Sequence, residues 1–114
     1  MVTGFQGRDF RVRDDVFPEG LLLSPVRALA WQDAPPVDAL TVAHLGGLFD
    51  LDVQPEFLLV GTGAALRQPP RAFVRELEGR GIGVEVMDSR AAARAWGVLR
   101  AEERWIVAAL MPLV

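Results

Sequence analysis

The sharpest alternation of apolar and polar positions lies in the second half of the chain. Phe57, Leu58, Leu59 and Val60 form an unbroken apolar run ending in Gly61-Thr62-Gly63, as expected of a strand buried on both faces and followed by a loop. Pro69-Pro70 then opens a helix: proline is tolerated in a first turn, and Phe73, Val74 and Leu77 form an apolar stripe opposite Arg71, Arg75 and Glu78. Gly79 and Gly81 end it. Residues 82–87 read as the next strand, Ser89 as the cap of a second helix with Ala92, Trp96 and Leu99 on one face, and residues 104–110 as a closing apolar strand. Strands and helices in this order predict that the segments starting at Phe57, Ile82 and Arg104 lie side by side in a mixed sheet. Two main helices pack on it, and the connecting loops gather at one edge.

The first half is patterned less strongly. Residues 9–13 alternate polar and apolar, the period-2 signature of a strand with one wet face. Residues 14–20, punctuated by Pro18 and Gly20, read as a turn; Leu21-Leu22-Leu23 reads as a short buried strand. Ser24-Pro25 interrupts it before an extended run over residues 26–31, and together these segments predict an N-terminal β-meander. Asp33-Ala34-Pro35-Pro36 is the strongest breaker in the chain, because the residue before each proline is driven out of helical geometry. Thr41 caps a short helix reaching about Phe49, although Gly46-Gly47 weakens it by roughly 1 kcal/mol per glycine. The expected architecture is α/β: one compact layered domain spanning residues 1–114.

Composition narrows the chemistry. With 114 residues, half of them hydrophobic, the chain suits one core and is too short for two. There is no cysteine, which excludes disulfides, thiolate metal sites and thiol nucleophiles, and His44 is the only histidine. No metal and no cofactor is expected. All 12 basic residues are arginine, so Schiff-base chemistry and the phosphate-loop lysine are excluded. Fifteen acidic residues bring the net charge to −3 with both signs interspersed, which argues against a nucleic-acid partner. The longest apolar stretch, residues 105–114, is about half of a membrane-spanning helix, and the N-terminus lacks a signal pattern. The expectation is a cytoplasmic protein that is not integral to a membrane.

Three stretches in sequence carry a family resemblance: Phe57-Leu58-Leu59-Val60-Gly61-Thr62-Gly63, Gly81-Ile82-Gly83-Val84-Glu85-Val86-Met87-Asp88-Ser89, and Val107-Ala108-Ala109-Leu110. They resemble, in order, a strand ending in G-T-G, a G-I-x-V-E-V-M-D-T strand and a closing E-G-R-x-V-A-A-A-L segment of the domain-of-unknown-function 498 family. Phe10-Arg11-Val12 and Leu21-Leu22-Leu23-Ser24-Pro25 resemble its N-terminal half. The resemblance implies a compact layered α/β domain, in a family whose eukaryotic relative is linked to assembly of respiratory complex I. Between Asp88 and Leu99 the family pattern reads T-x-A-A-C-R-T-Y-N-V-L, and here Ser89, Ala93, Ala95, Trp96 and Gly97 take the places of its threonine, cysteine, second threonine, tyrosine and asparagine. Chemistry requiring those polar groups cannot operate in this chain. Gly97, in the place of an asparagine, reads as a helix stop because both residues tolerate the left-handed conformation.

The candidate site is the predicted rim. Glycines flanking Thr62 let backbone N–H groups approach an anion, and ligands of open α/β sheets bind beyond the carboxyl ends of strands. The dinucleotide fingerprint needs a third glycine and the phosphate loop a lysine, so a tight turn requiring positive φ competes with binding. Asp88 and Ser89 end the next strand and face the same rim with Arg94; helix capping and simple exposure compete there. Glu102 and Arg104 are spaced for a local ion pair. Glu85 is read as solvent-facing by strand alternation, His44 as a semi-exposed structural residue, and Trp31, Trp96 and Trp105 as core or rim aromatics. The sequence therefore favours a non-catalytic protein-interaction or complex-assembly module with a protein partner in a larger assembly. The alternative is a small-molecule or anion-binding domain, or an enzyme of unrecognised type, using Gly61, Thr62, Gly63, Asp88, Ser89 and Arg94.

Overall fold

The closing apolar runs become the middle of a sheet because they have no wet face to offer. The computed structural model describes residues 4–6, 9–12, 15–17 and 20–113. Along the chain run β1 (Gly4–Gln6), β2 (Asp9–Val12), β3 (Asp15–Phe17), β4 (Leu21–Leu23), β5 (Ala28–Ala30), two 3-10 segments (Val37–Ala39 and Val42–Phe49), β6 (Phe57–Gly61), α1 (Arg71–Gly79), β7 (Gly83–Met87), α2 (Ser89–Ala101) and β8 (Val107–Leu110). The five-stranded sheet has the order β5-β4-β8-β6-β7. β6 runs parallel to β7 and β8, whereas β4 is antiparallel to β8 and β5.

Side-chain alternation divides the core between the two faces of this sheet. Leu58 and Val60 of β6, Leu22 of β4, and Val107 and Ala109 of β8 share one face with Phe73 and Leu77 of α1. Leu59, Leu21, Leu23, Ala108 and Leu110 point the other way and meet Ala92, Ala93 and Trp96 of α2. Trp31, Leu40, Leu45 and Leu48, from the connection between the halves, complete the α1 side. The three segments expected side by side are paired as expected. Among the described residues, no helix is long and apolar enough to cross a membrane.

The N-terminal meander is present, but its strands are distributed differently. β1, β2 and β3 form a separate antiparallel sheet, so residues 15–17, expected to lie in a turn, supply its third strand; Arg13, Asp14 and Pro18 lie outside the described residues. β4 and β5 instead form a hairpin on the main sheet, closed by Ser24, whose Oγ accepts from the N–H groups of Val26 (3.3 Å) and Arg27 (3.2 Å). The extended run expected over 26–31 shortens accordingly to Ala28–Ala30. The segment capped by Thr41 is a 3-10 helix broken at Gly46, which takes φ 53° and ψ −130°. His44 Nδ1 accepts from the Thr41 N–H at 3.0 Å, a capping role that leaves the imidazole exposed.

The end of α2 corrects one expectation. α2 does not stop at Gly97; it runs four residues further, and a Cβ at Gly97 would meet nothing within 4 Å outside its own helix. Both helices end in the same paired-carbonyl motif. In α1, Gly81 donates to Glu78 O and Ile82 to Leu77 O; in α2, Glu103 donates to Arg100 O (2.9 Å) and Arg104 to Leu99 O (3.0 Å). Gly81 supplies the left-handed residue at φ 79°, and Glu103 does so at φ 61°, a non-glycine residue where the family signature has glycine. The stop signal was therefore displaced: helix continuation satisfies more backbone groups than ending at Gly97 would.

The expected Glu102–Arg104 pair is replaced by a longer-range one. The left-handed turn at Glu103 swings Arg104 toward the start of β6, where Nε and Nη2 donate to the two carboxylate oxygens of Glu56 at 2.9 and 3.0 Å. This bond holds the Glu56 carboxyl below its ordinary pKa and raises that of Arg104; Glu102 only adds to the field at Arg104. Both side chains are substantially exposed, so the pair fixes geometry more than it adds stability.

Replacing Gly97→Ala removes glycine's extra unfolded-state freedom without a clash, and should raise the unfolding free energy by about 0.5–1 kcal/mol. Glu103→Gly relieves the left-handed strain and should contribute about 1 kcal/mol. Urea unfolding of each variant checks this; destabilisation by Gly97→Ala would mean that α2 departs from regular helix there.

Candidate functional site

The carboxyl ends of β6, β7 and β8 form the rim, and one hydroxyl ties them together. Ser89 is fully buried at the first position of α2. Its Oγ accepts from the Gly63 N–H at 2.8 Å and donates to Met111 O at 2.7 Å, while its own N–H donates to Gly63 O at 2.8 Å. Met111 N–H in turn donates to Gly61 O at 2.8 Å. Ser89 is thus not the helix cap. That task falls to Asp88, whose Oδ1 accepts from the Ala91 N–H at 2.9 Å.

Glycine is required at both ends of Gly61-Thr62-Gly63, for different reasons. A Cβ on Gly61 would lie 2.8 Å from Ser89 Cα and 2.9 Å from Leu110 Cδ2, so strand and helix approach too closely for any side chain. Gly63 has φ 96°, the positive-φ turn that a tight connection demands. Thr62 between them is buried. Its Oγ1 donates to Ala65 O at 2.7 Å and accepts from the Arg67 N–H at 3.1 Å, while its N–H donates to Met87 O at 2.9 Å. This hydroxyl shapes the loop that carries the chain to Pro69.

Of the six sequence-derived candidates, Gly61, Thr62, Gly63 and Ser89 are brought into direct contact, and Asp88 stands beside them as a cap. Arg94 is exposed on the outward side of α2 and makes no hydrogen bond to the rim loop among the described residues. Glu85 is exposed, as strand alternation indicates. Trp31 and Trp96 are core residues; Trp31 Nε1 donates to His44 O at 2.9 Å, whereas Trp96 Nε1 is buried without an acceptor among the described residues. Trp105 lies at the opposite rim, half-buried, with Nε1 donating to Val53 O at 2.7 Å.

A cleft of about 450 Å³ opens beside Thr62 and Gly63. Its other walls are not residues 88–94. They are the segment Ala34-Pro35-Pro36-Val37, Ala64, Ala65 and Arg67 of the β6–α1 loop, and Met111-Pro112 past β8. Topology places it there: β6 leads to a helix on one face and β7 to a helix on the other, so the connections diverge where the strand order reverses. Sequence reasoning marked Pro35-Pro36 as a breaker but had no signal for its approach to the rim, since it is separated from Thr62 by 26 residues of chain and joined to it only by packing. Among the described residues no group of three or more metal-ligating side chains occurs.

A family model described as protein of unknown function (DUF498/DUF598) matches residues 2–111. The chain is 34% identical over 112 residues to an uncharacterized protein from Rhodobacter capsulatus, covering 98% of this chain and 84% of that one. It is 30% identical over 112 residues to NADH dehydrogenase (ubiquinone) 1 alpha subcomplex assembly factor 3 from Danio rerio; here 98% of this chain matches and it spans 64% of the relative's length. A crystal structure of a protein from Bordetella parapertussis shares the fold with a TM-score of 0.86 at 34% identity, over 97% of this chain and 93% of that one. A solution structure from Bordetella pertussis, described as a Mth938-like domain, gives a TM-score of 0.81 at 30% identity, over 98% and 85% of the two chains.

Ser89→Ala leaves the Gly63 N–H and the Met111 carbonyl buried and unpaired, and should lower the unfolding free energy by about 2–4 kcal/mol. Amide exchange at Gly63 should accelerate in the same variant. Retained protection there would show that the hydroxyl does not hold the rim.

Proposed function

Since the chain belongs to the DUF498/DUF598 family of proteins of unknown function, we propose that it is a non-catalytic protein-interaction module that helps a larger complex to assemble. The observation that carries this reading is the outward stripe of α2. Arg90, Arg94 and Val98 follow one another at four-residue spacing on an exposed face, and α2 as a whole contains three arginines and no acidic residue in a chain of net charge −3. Val98, which ends this stripe, is 62% exposed. A positive stripe ending in an apolar residue suits an acidic protein surface bearing its own apolar contact. By contrast, α1 carries Glu76 and Glu78 alongside its Arg71 and Arg75.

Two further observations support it. The rim hydroxyls of Thr62 and Ser89 and the Asp88 carboxylate are each engaged in holding loops and helix, which leaves them poorly placed as nucleophile or proton carrier. The Danio rerio relative is named as an assembly factor of an NADH dehydrogenase, and a respiratory dehydrogenase is accordingly the complex we assign to this chain. Ligand binding at the rim is supported separately by the cleft beside Thr62.

The test is a strain lacking the chain, its membranes resolved on native gels with in-gel NADH dehydrogenase staining. Loss or truncation of the assembled complex is expected, with rescue by the normal chain but not by an Arg94→Glu, Val98→Asp variant of unchanged melting temperature. Normal complex in the deleted strain would overturn the assembly role, and full rescue by the double variant would remove α2 as the docking face.

A further inference from the structure

The cleft at the rim has a chemical character that the docking role does not use. Of its lining residues, Ala34, Pro35, Pro36, Val37, Ala64, Ala65, Met111 and Pro112 present hydrocarbon, and the three prolines offer no N–H. Among the described residues no acidic side chain lines it. Arg67 is the single charged lining group, and its guanidinium has no hydrogen-bond or ion-pair partner among the described residues. The N–H groups of Ala64 and Ala65, on the same loop, likewise have no intramolecular acceptor among the described residues. The Arg67 guanidinium and these two N–H groups thus offer donors on the β6–α1 loop wall, whose turn is held by the Thr62 hydroxyl that ties Ala65 to Arg67.

We infer that this cleft binds a small apolar monocarboxylate, an alkyl or aryl acid whose carboxylate meets Arg67 and the 64–65 backbone while its hydrocarbon part lies along the proline-rich wall. One cation and two loop donors match one planar anion, which a guanidinium receives through paired N–H groups. A dianionic phosphate would leave charge uncompensated, and a neutral ligand would forgo the charge-assisted bond to the guanidinium. The volume of about 450 Å³ falls within the range of small-molecule sites. This site is independent of the α2 docking face: Arg67 and Arg94 lie on different elements, and each reading can fail without the other.

The experiment is titration of the ¹⁵N-labelled chain with octanoate, octanamide and inorganic phosphate, followed by amide shifts. Saturable shifts with octanoate, centred on residues 34–37, 62–67 and 111–113, are expected, with octanamide and phosphate weaker by roughly tenfold or more. Arg67→Gln, a change at an exposed position, should weaken octanoate by a similar factor, and Ala65→Trp should abolish binding by filling the cleft with the spectrum otherwise preserved. Absent or non-saturable octanoate shifts, equal binding of octanamide or phosphate, or undiminished binding by either variant would each overturn the inference.

Discussion

The adjoining strands β6 and β8 are buried on both sides, and that constraint determines most of the rest. Leu58, Leu59 and Val60 of β6, and Val107 to Leu110 of β8, have no exposure to water. A sheet with such a centre is stable only when both faces are covered, so one helix must lie on each. The covering is uneven in kind. α1 shares its face with the irregular segment that carries Trp31, Leu40, Leu45 and Leu48, whereas α2 covers the other face with Ala92, Ala93 and Trp96. Small alanines bring α2 close to the strands, and that closeness is why Gly61 can bear no side chain and why a serine hydroxyl reaches two strand ends at once.

The same geometry changes the meaning of the polar residues near the rim. Seen along the chain, Thr62, Asp88 and Ser89 resemble a small reactive cluster at the ends of two strands. In three dimensions each has a neighbouring backbone group that would otherwise be unsatisfied, and each is engaged by it. What remains open at the rim is largely hydrocarbon, with Arg67 beside it. The serine in the place of the family's threonine keeps the hydroxyl that this role requires, while the cysteine and tyrosine of the same segment are replaced by Ala93 and Trp96, both packed in the core.

How legible the structure was depended on how local the cause was. Unbroken apolar runs announced β6 and β8, and helical periodicity announced α1 and α2, because burial on a strand or helix leaves its period in the residues themselves. Gly97 misled because a glycine allows a helix to stop without requiring it; the decision was made by Glu103, a residue with no local sign of left-handed geometry. Strand β3 was hidden beside turn-forming residues. Arg104 chose Glu56 over the nearer Glu102, and the 34–37 segment became a wall of the cleft. Both follow from contacts across the fold, which no window of sequence contains.

The three tryptophans fall in three different places: Trp31 in the α1-side core, Trp96 in the α2-side core, and Trp105 at the far rim beneath Arg100, 5.9 Å from its ring centroid. The chain has no tyrosine. Its near-ultraviolet spectrum is consequently dominated by three indoles that do not share a neighbourhood, so each layer of the molecule carries its own optical reporter. Variants that keep one indole at a time, with phenylalanine at the other two positions, would report separately on either face and on the edge away from the cleft.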